Sequence, residues 1–167
     1  TSLSAIPGEP KAETYDAYFT WHMANSYEYE NEFHVDIPEG ALYEDLKFQF
    51  GREMQDRKSL TPYYSIQARH TPLQKTIDVL IVFDSTQVKN PKQVVAVRES
   101  PTGGKAFVTG AFNADGYTFS SKSFGRFYLA LDTISPSLRA YKWSTGGHLT
   151  TKSLLQFKAS DDKTGLA

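Results

Sequence analysis

With 167 residues, 40% hydrophobic and 22% charged, the chain has the composition of an ordinary globular protein, enough for one domain or one domain and part of a second. Its 18 basic and 19 acidic residues leave a net charge of −1, and no Lys/Arg run breaks that balance, so nothing advertises nucleic acid as a partner. Cysteine is absent, which excludes disulfides and thiolate metal sites, and no apolar run approaches the ~20 residues of a membrane helix.

Residues 1–14 carry prolines and a glycine and read as a linker or arm. They contain no apolar core of signal-peptide length, so the signal of an exported parent would lie upstream or have been removed. AYFTWHMA then alternates, with Phe19, Trp21 and Met23 on one face, and predicts a strand. NSYEYENE is polar enough for a turn, although Tyr27 and Tyr29 alternate too. FHVDIP is a strand with Phe33, Val35 and Ile37 to one side and His34 and Asp36 to the other, broken by Pro38 and Gly40. ALYED is a connection, and LKFQFG alternates again through Leu46, Phe48 and Phe50. REMQDRKSLTP is either a loop or one helical turn with Met54 inward, and YYSIQAR is a strand through Tyr64, Ile66 and Ala68. In TIDVLIVFD both faces are apolar, because Leu80 and Val82 join Ile77, Val79, Ile81 and Phe83. Such a strand is expected to be central and covered on both sides.

QVVAVRES and KAFVTGAF flank PTGG, a hairpin loop, and Asp115-Gly116 marks a tight turn before YTFSSKS. GRFYLALD closes the series with Phe127, Leu129 and Leu131 on one face. About nine strands at the ~8–12-residue spacing of a sandwich or barrel predict an all-β, antiparallel β-sandwich. DTISPS reads as a hinge, with a boundary near Ser135 and strands at 138–143 and 153–159 beyond it. SDDKTGLA, Ser160 to Ala167, is a polar turn that would lead into a further strand.

The polar residues carry no catalytic pattern. His34 and Asp36 share a strand face and could chelate, but no second pair of that kind exists; His70 and His148 are isolated beside turns, and His22 sits in an aromatic strand. The expectation is no catalytic residue, no metal and no cofactor. There is no G-x-S-x-G elbow, and PTGGK lies between strands instead of before a helix. NADG has the look of a calcium-loop fragment without the remaining ligand positions and reads as a β-turn. Glu44-Asp45 and Asp161-Asp162 are turn residues. The 10 Tyr and 11 Phe read chiefly as core and cross-strand pairs. The alternative is a surface on which sugar rings stack, with Tyr27, Tyr29 and Tyr63 as its candidates.

VDIPEGALYEDLKFQF resembles a stretch of bacterial envelope proteins in which a lysostaphin-like zinc endopeptidase domain is joined to immunoglobulin-like β-sandwich modules. Ile37, Pro38, Gly40, Ala41, Leu42, Tyr43 and Asp45 carry the resemblance, as do Pro62, Tyr63, Pro72 and Leu73 and the closing phrase from Phe124 through Asp132, Thr133 and Pro136. The resemblance implies a sandwich over 15–134 and, at 135–167, the first strands of a truncated second immunoglobulin-like domain, with Leu155 to Leu166 as its second strand and turn. The His-x-His that ligates zinc in the endopeptidase domain is missing from this sequence.

The expectation is therefore a non-enzymatic accessory module of a cell-envelope metallopeptidase, exported to the periplasm or envelope. It would position the catalytic domain of the same parent chain or contact cell-wall glycan or peptide. The strands of the second domain, 137–159, would leave edges open to homodimer pairing. The alternative function is a carbohydrate-binding or adhesion module, and a third is a β-sandwich enzyme using His34 and Asp36.

Overall fold

The computed structural model describes residues 15–54, 59–67, 71–99, 104–133, 137–141 and 156–160. The architecture is all-β. The strands are β1 (Ala17–Phe19), β2 (Asn25–Tyr29), β3 (Phe33–Ile37), β4 (Leu46–Phe48), β5 (Phe50–Glu53), β6 (Tyr63–Ile66), β7 (Ile77–Ile81), β8 (Val94–Glu99), β9 (Lys105–Val108), β10 (Gly110–Phe112), β11 (Tyr117–Ser121), β12 (Gly125–Leu131), β13 (Ser137–Tyr141) and β14 (Gln156–Ser160). The first sheet has the order β10-β11-β7-β3-β2 and the second β5-β6-β12-β8-β9, all antiparallel. Two-stranded sheets β1-β4 and β13-β14 complete the set. Among the described residues the helical segments are single 3₁₀ turns at Ser85–Gln87 and Pro91–Gln93, opened by the side chains of Asp84 and Asn90.

The two five-stranded sheets face each other across one core. Alternation puts Phe33, Val35 and Ile37 of β3 and Ile77, Val79 and Ile81 of β7 on the inner side of the first sheet, where all are buried. The second sheet answers with Tyr64, Ile66, Ala96, Phe127 and Leu129. Rings meet across the interface, Phe33 against Tyr64 at 5.2 Å and Phe119 against Phe127 at 5.4 Å. Each such side chain contributes roughly 1.5–3 kcal/mol by leaving water.

The two long sides of the sandwich close differently. On one side an aromatic ladder fills the gap between edge strands β2 and β5. Tyr27 lies 5.1 Å from Phe48 and 5.2 Å from Phe50, and Tyr29 lies 4.9 Å from Phe50. On the other side the chain itself crosses, since β9 pairs in the second sheet and β10 in the first with Thr109 alone between them. The crossing needs Gly110, because a Cβ there would run into the Thr118 carbonyl and the Tyr117 ring. Tyr117 locks it: its hydroxyl accepts from the Gly110 N–H at 2.9 Å and donates to the Val94 carbonyl at 3.0 Å.

Several expectations change on the structure. The strand through Trp21 and Met23 stops at Phe19, because the Asn25 side chain accepts from the Thr20 N–H and donates to the Thr20 and Met23 carbonyls, bending 20–24 into a loop. NSYEY is strand, and the turn is narrowed to Glu30, Asn31 and Glu32, the first two left-handed with φ values of 46° and 55°. Met54 is 79% exposed after the extended β5, so it does not point inward. The strand β7 is central as expected, yet its outer face is open: Leu80 is half-buried and Val82 is 45% exposed. Strands β13 and β14 pair antiparallel, Ser137 with Ser160 through Tyr141 with Gln156. The arm at 1–14, the hinge around Ser135 and the turn 161–167 lie outside the described residues.

Candidate functional site

The outward face of the second sheet has a hydrophobic layer of its own. Tyr63, Val95, Val97 and Tyr128 are buried there, with Phe107 and Ala130 packed on them. Tyr63 meets Tyr128 edge-on at 4.6 Å, and the Arg126 guanidinium lies 4.1 Å above the Tyr63 ring. The Lys105 ammonium donates to the Tyr128 hydroxyl at 2.7 Å and pairs with Glu99 at 3.4 Å, while Arg126 pairs with Glu53 at 3.2 Å. The hydrogen bond to Tyr128 holds the Lys105 ammonium above the usual lysine range.

This placement decides what the three tyrosines singled out from the sequence do. Tyr63 is buried under Arg126, and Tyr27 and Tyr29 are half-buried rungs of the edge ladder. Their rings are in contact with protein, not offered as an open platform. Burial raises the Tyr27 phenol above its ordinary range.

The exposed aromatics are others. Tyr15, Tyr18, Trp21 and Tyr43 lie between 48% and 62% exposed, and Met23 beside them is 55% exposed. Asp45 organises the group. Its carboxylate accepts from the Tyr18 hydroxyl and from the Trp21 backbone N–H, both at 3.1 Å. That bond, and then the charge of Asp45, raises the Tyr18 phenol. The Trp21 carbonyl accepts from the Gly40 N–H at 3.2 Å, joining loop 20–24 to loop 38–45. Loop 38–45 is held in turn by Lys75, whose ammonium donates to the Glu39 carbonyl at 2.6 Å, and by Gln74, which donates to the carbonyls of Ala41 and Leu42. Tyr15 lies 6.4 Å from Tyr18, edge to face. The result is an exposed aromatic patch made by the β1 region and two loops that are hydrogen-bonded to each other. Sequence reading missed it because Trp21 and Met23 alternate with their neighbours as core residues do; only Asn25, a loop-capping residue two positions after Met23, hinted otherwise.

The polar candidates are accounted for singly. His34 Nε2 lies 3.0 Å from Asp36 Oδ1 on the outward face of the first sheet. Among the described residues no three His, Cys, Asp or Glu side chains gather as a metal would require. The His22 ring lies 5.6 Å from Trp21, while His70, His148, Asp161 and Asp162 fall outside the described residues. NADG is a turn in which the Asn113 side chain accepts from the N–H groups of Asp115 and Gly116, each at 2.9 Å. Glu99 pairs in register with Lys105, so β8 and β9 are antiparallel neighbours, while residues 101–103 of PTGG lie outside the described residues.

The sandwich with these sites coincides with a known domain type, because the Zu5-like domain model matches residues 16–132. The chain belongs to the Zu5-like domain family. No curated protein matches the chain. Within this Zu5-like domain the residues that suggested the envelope-protein resemblance divide by role. Ile37, Ala41 and Leu42 are buried, Pro38 and Gly40 make the turn, and Tyr43 and Asp45 belong to the aromatic patch. No helix among the described residues is long and apolar enough to cross a membrane.

Proposed function

We propose that the chain is a non-catalytic recognition module that works by contact, and that the aromatic patch around Asp45 is its contact surface. The observation that carries this reading is the joint exposure of Tyr15 and Tyr18 at β1 and of Trp21 and Tyr43 on the two adjoining loops, which Asp45, Gly40 and Lys75 fix. Large apolar side chains gathered on a protein surface mark an interaction site. Rings held in place also bind at low entropic cost. The chemistry favours carbohydrate. Aromatic faces take the C–H faces of a sugar ring, and the polar groups among them, Asp45, Glu44 and His22, suit its hydroxyls. The phrases at Ile37–Asp45 and Phe124–Pro136 support the narrower reading that such a module accompanies an envelope metallopeptidase and holds its catalytic domain near the wall.

Cosedimentation with purified cell-wall glycan tests this. The 167-residue chain is expected in the pellet, and Trp21→Ala combined with Tyr43→Ala in the supernatant, with both proteins melting at about the same temperature because these exposed side chains contribute little to folding. Equal sedimentation of the two proteins, or none by either, would overturn the carbohydrate reading.

A further inference from the structure

A second, separate site lies on the outward face of the first sheet. That face is polar at nearly every alternating position: Ser26 and Glu28 on β2, His34 and Asp36 on β3, Asp78 on β7, Thr118 and Ser120 on β11. Leu80 breaks the pattern, and Val82 continues the break beyond the strand end. These are the residues that made β7 read as covered on both sides.

They form the floor of a groove. Its volume is about 410 Å³, within the ~300–1,000 Å³ of small-ligand sites. Leu80 and Val82 supply the apolar lining, Glu28, Asn31, His34 and Asp115 the polar lining, and Phe33, whose ring is in the core, borders it through the strand that carries His34. The register places Glu28, His34 and Leu80 in one row across three strands. Asp115 comes from the opposite side, on the turn whose Gly116 sits against Ile81 and Val82. Among the described residues no lysine or arginine lines the groove. Beyond His34, Asp36 and Asp78 lie directly opposite each other, and the Ser120 hydroxyl donates to Asp78 at 2.5 Å. The walls therefore hold a negative field over an aliphatic floor.

That combination selects one kind of occupant. A neutral apolar group would leave the carboxylates without a counter-charge, and an anion would be repelled. An alkyl chain ending in an ammonium satisfies both parts: its methylenes cover Leu80 and Val82 while the charge stays at the wet, acidic rim. We propose that this groove binds a lysine-type side chain of a peptide, with the stem on Leu80 and Val82 and the ammonium in the field of Glu28 and Asp115. The groove shares no lining residue with the aromatic patch, so the two sites fail or succeed separately.

The test is a ¹H–¹⁵N NMR titration of the 167-residue chain with Nα-acetyl-lysine methylamide, alongside the uncharged norleucine analogue. Saturable shifts are expected at the amides of Glu28, His34, Leu80 and Val82 with the lysine compound alone, weakening with added salt. Glu28→Gln with Asp115→Asn should weaken binding about tenfold, the loss of roughly 1.4 kcal/mol. Val82→Lys, which places an ammonium in the groove from the chain itself, should abolish it. The unchanged remainder of each spectrum reports the fold. An equal response to norleucine, shifts confined to other residues, or undiminished binding by both variants would overturn the proposal. Trp21→Ala should leave this titration unaltered.

Discussion

The outward faces of the two sheets differ more than their inward faces do. The first sheet turns acids, serines and a histidine outward around a single aliphatic break. The second turns out tyrosines and valines buried as deeply as the core, under Arg126 and Lys105. A sandwich needs only one apolar face per sheet. The second sheet has two, the outer one covered by the side chains of Arg126 and Lys105, while the first keeps a solvated outer face.

The difference should appear in stability. Tyr128→Ala removes a buried ring, its edge contact with Tyr63 and the Lys105 bond, and is expected to cost about 3 kcal/mol in urea unfolding. Leu80→Ala on the other face should cost under about 1 kcal/mol. Similar losses at both positions would erase the contrast. Arg126→Leu keeps the cover over Tyr63 but loses the cation–π contact and the pairing with Glu53, and about 1 kcal/mol is expected. A neutral outcome would mean that apolar cover alone suffices on the second sheet.

Acid sharpens the comparison from the side of the first sheet. At the end of the β2–β3 hairpin, Arg52 donates to both carboxylate oxygens of Glu32, at 2.8 and 3.2 Å. The bond to Arg52 holds the Glu32 carboxyl below its ordinary 4.5. A carboxyl lowered in the folded state stabilises fully above its unfolded pKa, and that stabilisation is lost as pH falls through the folded value. Thermal melts should therefore weaken below about pH 4.5, more steeply for the native chain than for Glu32→Gln. Parallel curves would remove Glu32 from the account. The smallest effect belongs to the hairpin turn. Glu30 carries a positive φ of 46°, where asparagine fits better than glutamate, and Glu30→Asn should stabilise by about 0.5 kcal/mol in the same unfolding assay.

Much of this fold was legible from alternation. FHVDI gives β3 its burial pattern residue by residue, whereas the double-sided burial of VVAV in β8 draws no such reading from the sequence. TIDVLIV carries a similar run, and there it misleads: Leu80 and Val82 on the outer face lie in an open groove instead of under a second layer. The site was less legible than the fold. Tyr27 and Trp21 stand in equally alternating runs, and what separates them is distant in sequence. Phe48 and Phe50 cover Tyr27, whereas Asp45 holds the loop of Trp21 out. Periodicity records which side of the chain a residue takes, and tertiary partners decide whether that side meets water.

The crossing at Thr109 has a consequence for how the molecule opens. Residues 105–112 pair in both five-stranded sheets within a single stretch of chain, whereas residues 46–53 run from the small β1-β4 sheet into β5 at the edge of the second sheet. The chain thus ties the two sheets along one side, and the aromatic ladder of Tyr27, Tyr29 and Phe50 packs them along the other. The sandwich should therefore behave as one cooperative unit in native-state hydrogen exchange, with the amides of Val79 in one sheet and Val97 in the other released at the same free energy.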